Sequence, residues 1–480
     1  MLLYRATPIL GAALLLSSCG SSAATDGSGA PEETGTSAPP ASDVDAPESN
    51  PAAPGDPSNP DAPSEESSQP SDSSSAEAPV TCAPELIESQ AELDALEGCE
   101  VATTGIVIGF EGADLRPLHA LRIAAEGLTL GSGSGSVDSL EGLENLERAP
   151  LTLGSVLVED LHSLRSLKSL QSGVEPSFDG GLTITDCPNL KTLAGLELDA
   201  LGKAPVRILA NPLLASLSSL AFPAEAGLVE LEANPSLRDL SALHGIEHVD
   251  DLQFWDMPQE TLDDFAGLRS AGSISLSDNA ALVDASGIAQ LESVDSLTFQ
   301  RNPALRTLPP FAQLTRAAGI GFYENPVLER IDSFPVLGSL VGADAAGVDG
   351  GTLEIVENAS LSVVALSPTL HVANGIRILR NPNLASVELG GLQAIEQALV
   401  VVSNPALDVG SAARLEAIPA PFEKIAGNQP GPGLASPCPF VRDRLCDEPP
   451  VDNLCAVGTD TVDCNNDGQW IAEHDPGRNE

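Results

Sequence analysis

His244-Gly245-Ile246-Glu247-His248 sets two imidazoles and a carboxylate at the inverted spacing with which some zinc hydrolases hold a metal. That chemistry needs both imidazoles on one face of a stable helix and a third ligand nearby. Gly245 weakens a helix, and Leu243, Ile246 and Val249 read as inward positions, so the imidazoles fall outward and no zinc is expected. A second set is Glu230, Glu232 and Asp256, carboxylates placed near one another on an outward face. Such groups would suit acid–base cleavage of a polysaccharide, although outward charges are also what any solvated sheet requires. A third is Asp463-Cys464-Asn465-Asn466-Asp467-Gly468, the first half of a calcium-loop pattern; its twelfth position should be Glu but is His474, with Glu473 one residue early. Calcium through Asp463, Asn465 and Asp467 is therefore set against a simple acidic turn. No nucleophile elbow, phosphate loop or dinucleotide fingerprint is present.

The chain has eight cysteines. Cys19 follows Leu16-Ser17-Ser18 at the end of a short apolar run that begins after Arg5, and this word looks like a bacterial lipobox. Residues 1–19 are thus read as a lipoprotein signal peptide, with Cys19 the lipidated residue; the apolar run is too short to span a bilayer. Export places the remaining cysteines where disulfides persist. Cys82 and Cys99 bracket a predicted helix and are expected to bridge it. Cys438, Cys446, Cys455 and Cys464 lie in an acidic, Pro-rich tail, residues 429–480, and are expected to form two bridges in one of three pairings. Cys187 is left over and reads as a buried small side chain.

The elements that position these groups come from a repeat. Ile106, Leu128, Leu151, Leu182, Val206, Val229, Leu252, Ile274, Leu297, Ile320, Leu353, Ile376 and Leu399 each open a stretch with period-two alternation, mostly 22 to 24 residues apart. A fixed period in the low twenties predicts a solenoid with one short strand per coil. Five residues after eight of these positions stands an Asn: Asn211, Asn234, Asn279, Asn302, Asn325, Asn358, Asn381 and Asn404. Pro follows in six of the eight, and a Leu stands three residues beyond the Asn every time. Cys187 and Met257 fill the slot in two further coils. A buried Asn at a corner both donates and accepts, so it can satisfy backbone groups of its own and adjacent coils. Pro after it fixes φ and lacks an N–H, which suits a place where the strand ladder has ended. A weak fourteenth coil centres on Ile425 and Asn428. Insertions before Leu182 and Leu353 both end in Asp-Gly-Gly at one phase of the coil and would project from one edge.

The pattern resembles leucine-rich repeats, except that the next Leu comes three rather than two residues after Asn, with Pro inserted. In that form it looks like the receptor L-domain family, a right-handed β-helix relative of the leucine-rich repeats. Ser89 to Cys99 is similar to the capping helix and cysteine that precede the first coil in that family. Read from the residues alone, Ser89 and Glu92 form a capping box, Leu93 and Leu96 an apolar stripe, and Gly98 the stop. The resemblance covers roughly residues 82–428. It implies a right-handed parallel β-solenoid of about 13 coils with an N-terminal capping helix; thirteen coils exceed one typical L domain, so one extended array or two fused ones are both open.

Residues 20–81 contain 12 acidic residues and no Lys or Arg, with almost no large apolar side chain, and read as a disordered linker. The whole chain carries a net charge of −47, which excludes a nucleic-acid partner held through phosphates. The expected site is the outward strand face, whose middle column runs Thr185, Leu209, Glu232, Trp255, Ser277, Gln300, Tyr323, Val356, Leu379, Val402. Trp255, Gln300 and Tyr323, with Arg301 and Glu324 beside them, resemble a recognition surface for a protein or glycan. The sequence thus reads as a non-catalytic lipoprotein of the bacterial cell envelope, in the outer membrane, with adhesion or ligand recognition as its function. Two alternatives are a structural envelope spacer and a polysaccharide-active β-helix enzyme.

Overall fold

The computed structural model describes residues 78–84, 86–131, 135–170, 181–199, 201–341 and 352–428. Cys19, linker residues 20–77, the four tail cysteines and the Asp463, Asn465 and Asp467 set lie outside the described residues; the last of the expected linker is described, and Thr81 already pairs with Val101 in a strand. A 16-stranded, all-parallel sheet runs the length of the described chain. Two of its strands, Ser339–Leu340 and Thr352–Val356, share one rung, which leaves 15 rungs joined in a parallel solenoid of about 14 turns.

All thirteen expected inward positions are rung-forming and buried, and each pairs in register with the next, from Ile106↔Leu128 to Ile376↔Leu399. The weak fourteenth coil is a full rung, Phe422–Ala426, paired to Ala394–Val402. Period two explains the register: slipping one residue would turn each aliphatic ladder into solvent. In the middle coils the ladder becomes aromatic. Phe299 and Phe322 stack with centroids 5.5 Å apart, and on the return side Phe311 and Phe334 stack at 5.1 Å.

The return path is irregular and short-turned. Single 3-10 turns such as Ser241–Leu243, Asp263–Phe265 and Ser286–Ile288 each bury an apolar residue against the coil. Two three-stranded parallel sheets line the flanks, one at Thr81–Cys82, Val101–Ala102 and Ile123–Ala124, the other at Arg330–Ile331, Val363–Ala365 and Ser386–Glu388.

The helix Gln90–Asp94 has its capping box in place, with Glu92 N–H donating to Ser89 Oγ and Ser89 N–H to Glu92 Oε2 at 3.1 Å. Its expected position needs correcting. Strand Leu86–Ile87 comes before it and already pairs with Ile106–Ile108, so the helix follows a rung rather than preceding the first coil. Two residues are too short to carry a visible period-two pattern. Cys82 and Cys99 are joined in a disulfide across this helix.

Candidate functional site

The side chains left outward on each rung form two columns. One is the column named above; the other runs Arg207, Glu230, Gln253, Ser275, Thr298, Gly321, Glu354, Arg377, Val400. Ladder pairing puts neighbours in a column about 4.8 Å apart. Trp255 and Tyr323, three rungs apart, are therefore separated by roughly 14 Å.

Both aromatics lean along one diagonal. Trp255 Nε1–H donates to Ser275 Oγ at 3.1 Å, and Tyr323 Oη–H donates to Glu354 Oε2 at 2.7 Å. Since Trp255 is registered with Ser277 and Tyr323 with Val356, each ring reaches the other outward column of the following rung. Gly321 makes this possible for the tyrosine. A Cβ there would lie 2.4 Å from Tyr323 Cε2, so any larger residue would push the ring off the sheet. Ser296, Thr298, Gly319, Gly321, Tyr323 and Glu354 line a notch of about 140 Å³ beside it. On the two rungs between the rings the columns carry no charge, Ser275 and Ser277 followed by Thr298 and Gln300, while on the Trp255 rung Gln253 donates to the Asp251 carboxylate at 2.8 Å. Ion pairs bound this stretch, Arg207–Glu230 at 3.2 Å on one side and Arg377–Glu354 at 3.9 Å on the other.

Gln300 sits in this stretch, registered between Ser277 and Tyr323. Arg301 and Glu324 do not belong to the column. They occupy a corner ridge just before the Asn, with φ of 49° and 53°, and Arg301 is engaged by Asp278 through Nε and Nη2 at 2.7 and 2.6 Å. That bidentate bond also raises the guanidinium pKa. Among the described residues, eleven that are not glycine share the left-handed conformation, each immediately before the corner slot, from Ser155 to Ser403. Sequence reasoning missed this ridge, because residue type there varies from Ala to Asp, Arg, Glu and Ser. The signal that would have found it is phase alone, one residue before each Asn.

The corner slots themselves form a hydrogen-bond ladder. Asn302 Oδ1 accepts from Asn279 N–H at 3.2 Å, and its Nδ2 donates back one coil to Leu276 O at 2.9 Å. The same pair of bonds recurs through Asn325, Asn358, Asn381 and Asn404 to Asn428. Asn211 and Asn234 form a second run. Met257 interrupts between them, offering Asn234 Nδ2 only its sulfur at 3.9 Å. Every one of these asparagines is buried. They are framework, with no side-chain atom directed at the outer face.

The other reactive-looking groups are dispersed. His244 ends a 3-10 turn and meets Asp264 at 2.7 Å, while His248 begins a strand and meets Asp250 and Ser270, so the two imidazoles serve different carboxylates. Glu230 and Glu232 share an outward strand, and burial raises the pKa of Glu230 despite Arg207 beside it. Asp256, expected near them, is on the corner ridge with φ 47° and does not join the pair on the face. Cys187 is a free, buried thiol whose pKa burial pushes up to about 11, which disfavours the reactive thiolate.

No family model and no curated protein matches the chain. Among solved structures it is similar to an internalin from Listeria monocytogenes, at 14% identity and a TM-score of 0.30, covering 71% of this chain and 85% of that one. It is also similar to the TLR13 of a TLR13–ssRNA13 complex, at 14% identity and a TM-score of 0.21 over 72% of this chain. The match spans 66% of that protein's length. The period, the parallel sheet and the Asn ladder make this chain a leucine-rich-repeat-like solenoid.

Proposed function

We propose that the protein is a non-catalytic recognition module whose outer sheet face, between Trp255 and Tyr323, binds an uncharged polar ligand, either a glycan or a polar stretch of protein. The observation that carries this reading is the matched pair of leaning aromatics with two rungs of hydroxyls and an amide, Ser275, Ser277, Thr298 and Gln300, between them. Aromatic faces supply contact area at small entropic cost, and hydroxyls and amides both donate and accept. In a chain of net charge −47, two neutral rungs flanked by carboxylates disfavour strong anions and offer no salt-sensitive attraction.

Loss of the two rings tests it. Trp255→Ala with Tyr323→Ala should abolish retention on a panel of immobilised neutral glycans and envelope proteins, with the circular dichroism of the sheet unchanged. Equal retention by the folded double variant sinks the recognition reading and leaves the structural spacer role. The enzyme alternative predicts product from a polysaccharide that disappears in Glu232→Gln. Its weakness is that Asp256 stands on the ridge and leaves the two carboxylates of Glu230 and Glu232 without the third.

The anchoring part of the proposal rests on the Leu-Ser-Ser-Cys word alone. Lipid on Cys19, followed by an acidic tether, would hold the solenoid away from a bacterial outer membrane. Cys19→Ala should move the protein from the membrane fraction to the soluble fraction and stop incorporation of labelled palmitate.

A further inference from the structure

The two outward columns change character in the last coils. Leu379, Val400 and Val402 form an apolar cluster of their own, only 3 to 4% exposed, with Val356 and Ala398 at its margin. The larger side chains earlier in the middle column, Leu209, Trp255, Gln300 and Tyr323, all stay partly exposed. Among the described residues, no apolar side chain from outside the cluster packs against it. The second helix, Val409–Glu416, lies against Ser386–Glu388 on a flank. The sequence agrees with burial on both faces: Ala398-Leu399-Val400-Val401-Val402 is an unbroken apolar run where the other rungs alternate. Lys424, registered beside Val400, has its pKa lowered by burial alone.

We propose that this outer apolar patch is the docking site of the chain's own C-terminal tail, residues 429–480, so that the last coils are closed from the side rather than left open to a partner. The described chain ends at Asn428, at the corner of the last rung. Asn428 Oδ1 accepts from Asn404 N–H at 3.0 Å, which puts the tail's point of departure one rung from Val402. The patch spans three rungs, about 10 Å. Six residues of extended chain reach roughly 20 Å, which brings Leu434 over it, and Phe440 and Val441 follow in the same segment. The insertion ahead of Leu353 enters two rungs away and at the opposite end of the strand, a poorer fit to a patch centred on Val400 and Val402.

The test uses the full-length chain. Trypsin sites at Arg442 and Arg444 should be protected in the native protein and cut at least tenfold faster in the double variant Leu379→Asp, Val402→Asp. Both substitutions point away from the solenoid interior. Equal rates in the two proteins would overturn the proposal, as would immediate cleavage of the native one. Should the double variant fail to fold, a photo-crosslinking residue at Val356 in otherwise native protein decides: an adduct within residues 429–480 supports docking. An adduct to residues 342–351, or to a second copy, overturns it.

Discussion

Two stretches of one sheet face follow opposite rules on identical backbones. From Trp255 to Tyr323 the middle outward column is polar or aromatic; from Val356 to Val402 it is aliphatic and closes at Leu379 and Val402, while the second column turns apolar only at Val400, after Glu354 and Arg377. Beneath both, the inward ladder and the left-handed ridge recur, and a buried Asn fills every corner slot but that of the Trp255 coil, where Met257 stands. The inward half of each rung is held by contact with two neighbouring copies of itself, whereas the outward half answers only to whatever lies on the face. A solenoid therefore separates what maintains the fold from what meets a ligand or a cover, and function is to be sought where the repeat lapses.

The largest effect should be blind to that difference. Asn302 underlies the polar stretch and Asn381 the apolar one, and each leaves a neighbour's N–H and a carbonyl one coil back without a partner when cut to Ala. Each substitution is expected to destabilise by about 3 kcal/mol, read from the midpoint of urea unfolding. A difference of more than about 1 kcal/mol between the two would mean that the outer face reaches into the corner, and the separation argued above would fail.

Next comes a pair chosen to split the stretches. Thr298 and Val400 are close in shape and occupy the same outward column. Val400→Asp buries a carboxylate without a partner and should cost about 2 kcal/mol or more, while Thr298→Asp stays within about 0.5 kcal/mol. Similar losses at both positions would show the apolar stretch to be open, like its neighbour.

How far these features were legible follows the same division. The period of 22 to 24 residues and the Asn slot placed the inward residues of thirteen rungs and the corner, because each is dictated by its own repeat. Trp255 and Tyr323 were identifiable as outward. Their diagonal lean was not, since it depends on a serine 20 residues later and a glutamate 31 residues later across an insertion. Arg301 and Glu324 were expected beside the outward face, where strict alternation would have turned them inward; alternation has ended there, at the ridge. Nor was Leu86–Ile87 visible as a rung, because its two residues carry no period. The covered patch did leave a trace in the run Leu399 to Val402, whose continuity contradicts a half-solvated strand.

A finer probe of the polar stretch is Gly321→Ala. The added Cβ collides with the Tyr323 ring and should break its bond to Glu354, at a cost of about 1 kcal/mol. If the leaning ring forms the recognition surface, ligand retention should fall far more than this small loss of stability implies. Retention unchanged in Gly321→Ala but lost in Tyr323→Ala would show that the ring matters in some other pose.

The smallest effect asks what the ridge itself demands. Ala233 has a φ of 51° and a side chain of one carbon, so its substitution isolates backbone strain from side-chain contact. Holding an L-residue there costs about 1 kcal/mol, which Ala233→Gly removes, while the extra freedom of glycine in the unfolded chain returns about half of that. The expected outcome is a gain of roughly 0.5 kcal/mol. Ala289, similarly part-buried but at a φ of −67°, should instead lose about 0.5 to 1 kcal/mol when changed to Gly. Opposite signs at the two alanines would show that the ridge is a conformation imposed by the stacked coils upon whichever residue falls there. That explains why Asp, Arg, Glu and Ser can all occupy it. Equal losses at both would mean that the left-handed corner carries no strain, and the freedom of residue choice along the ridge would need no support from neighbouring rungs.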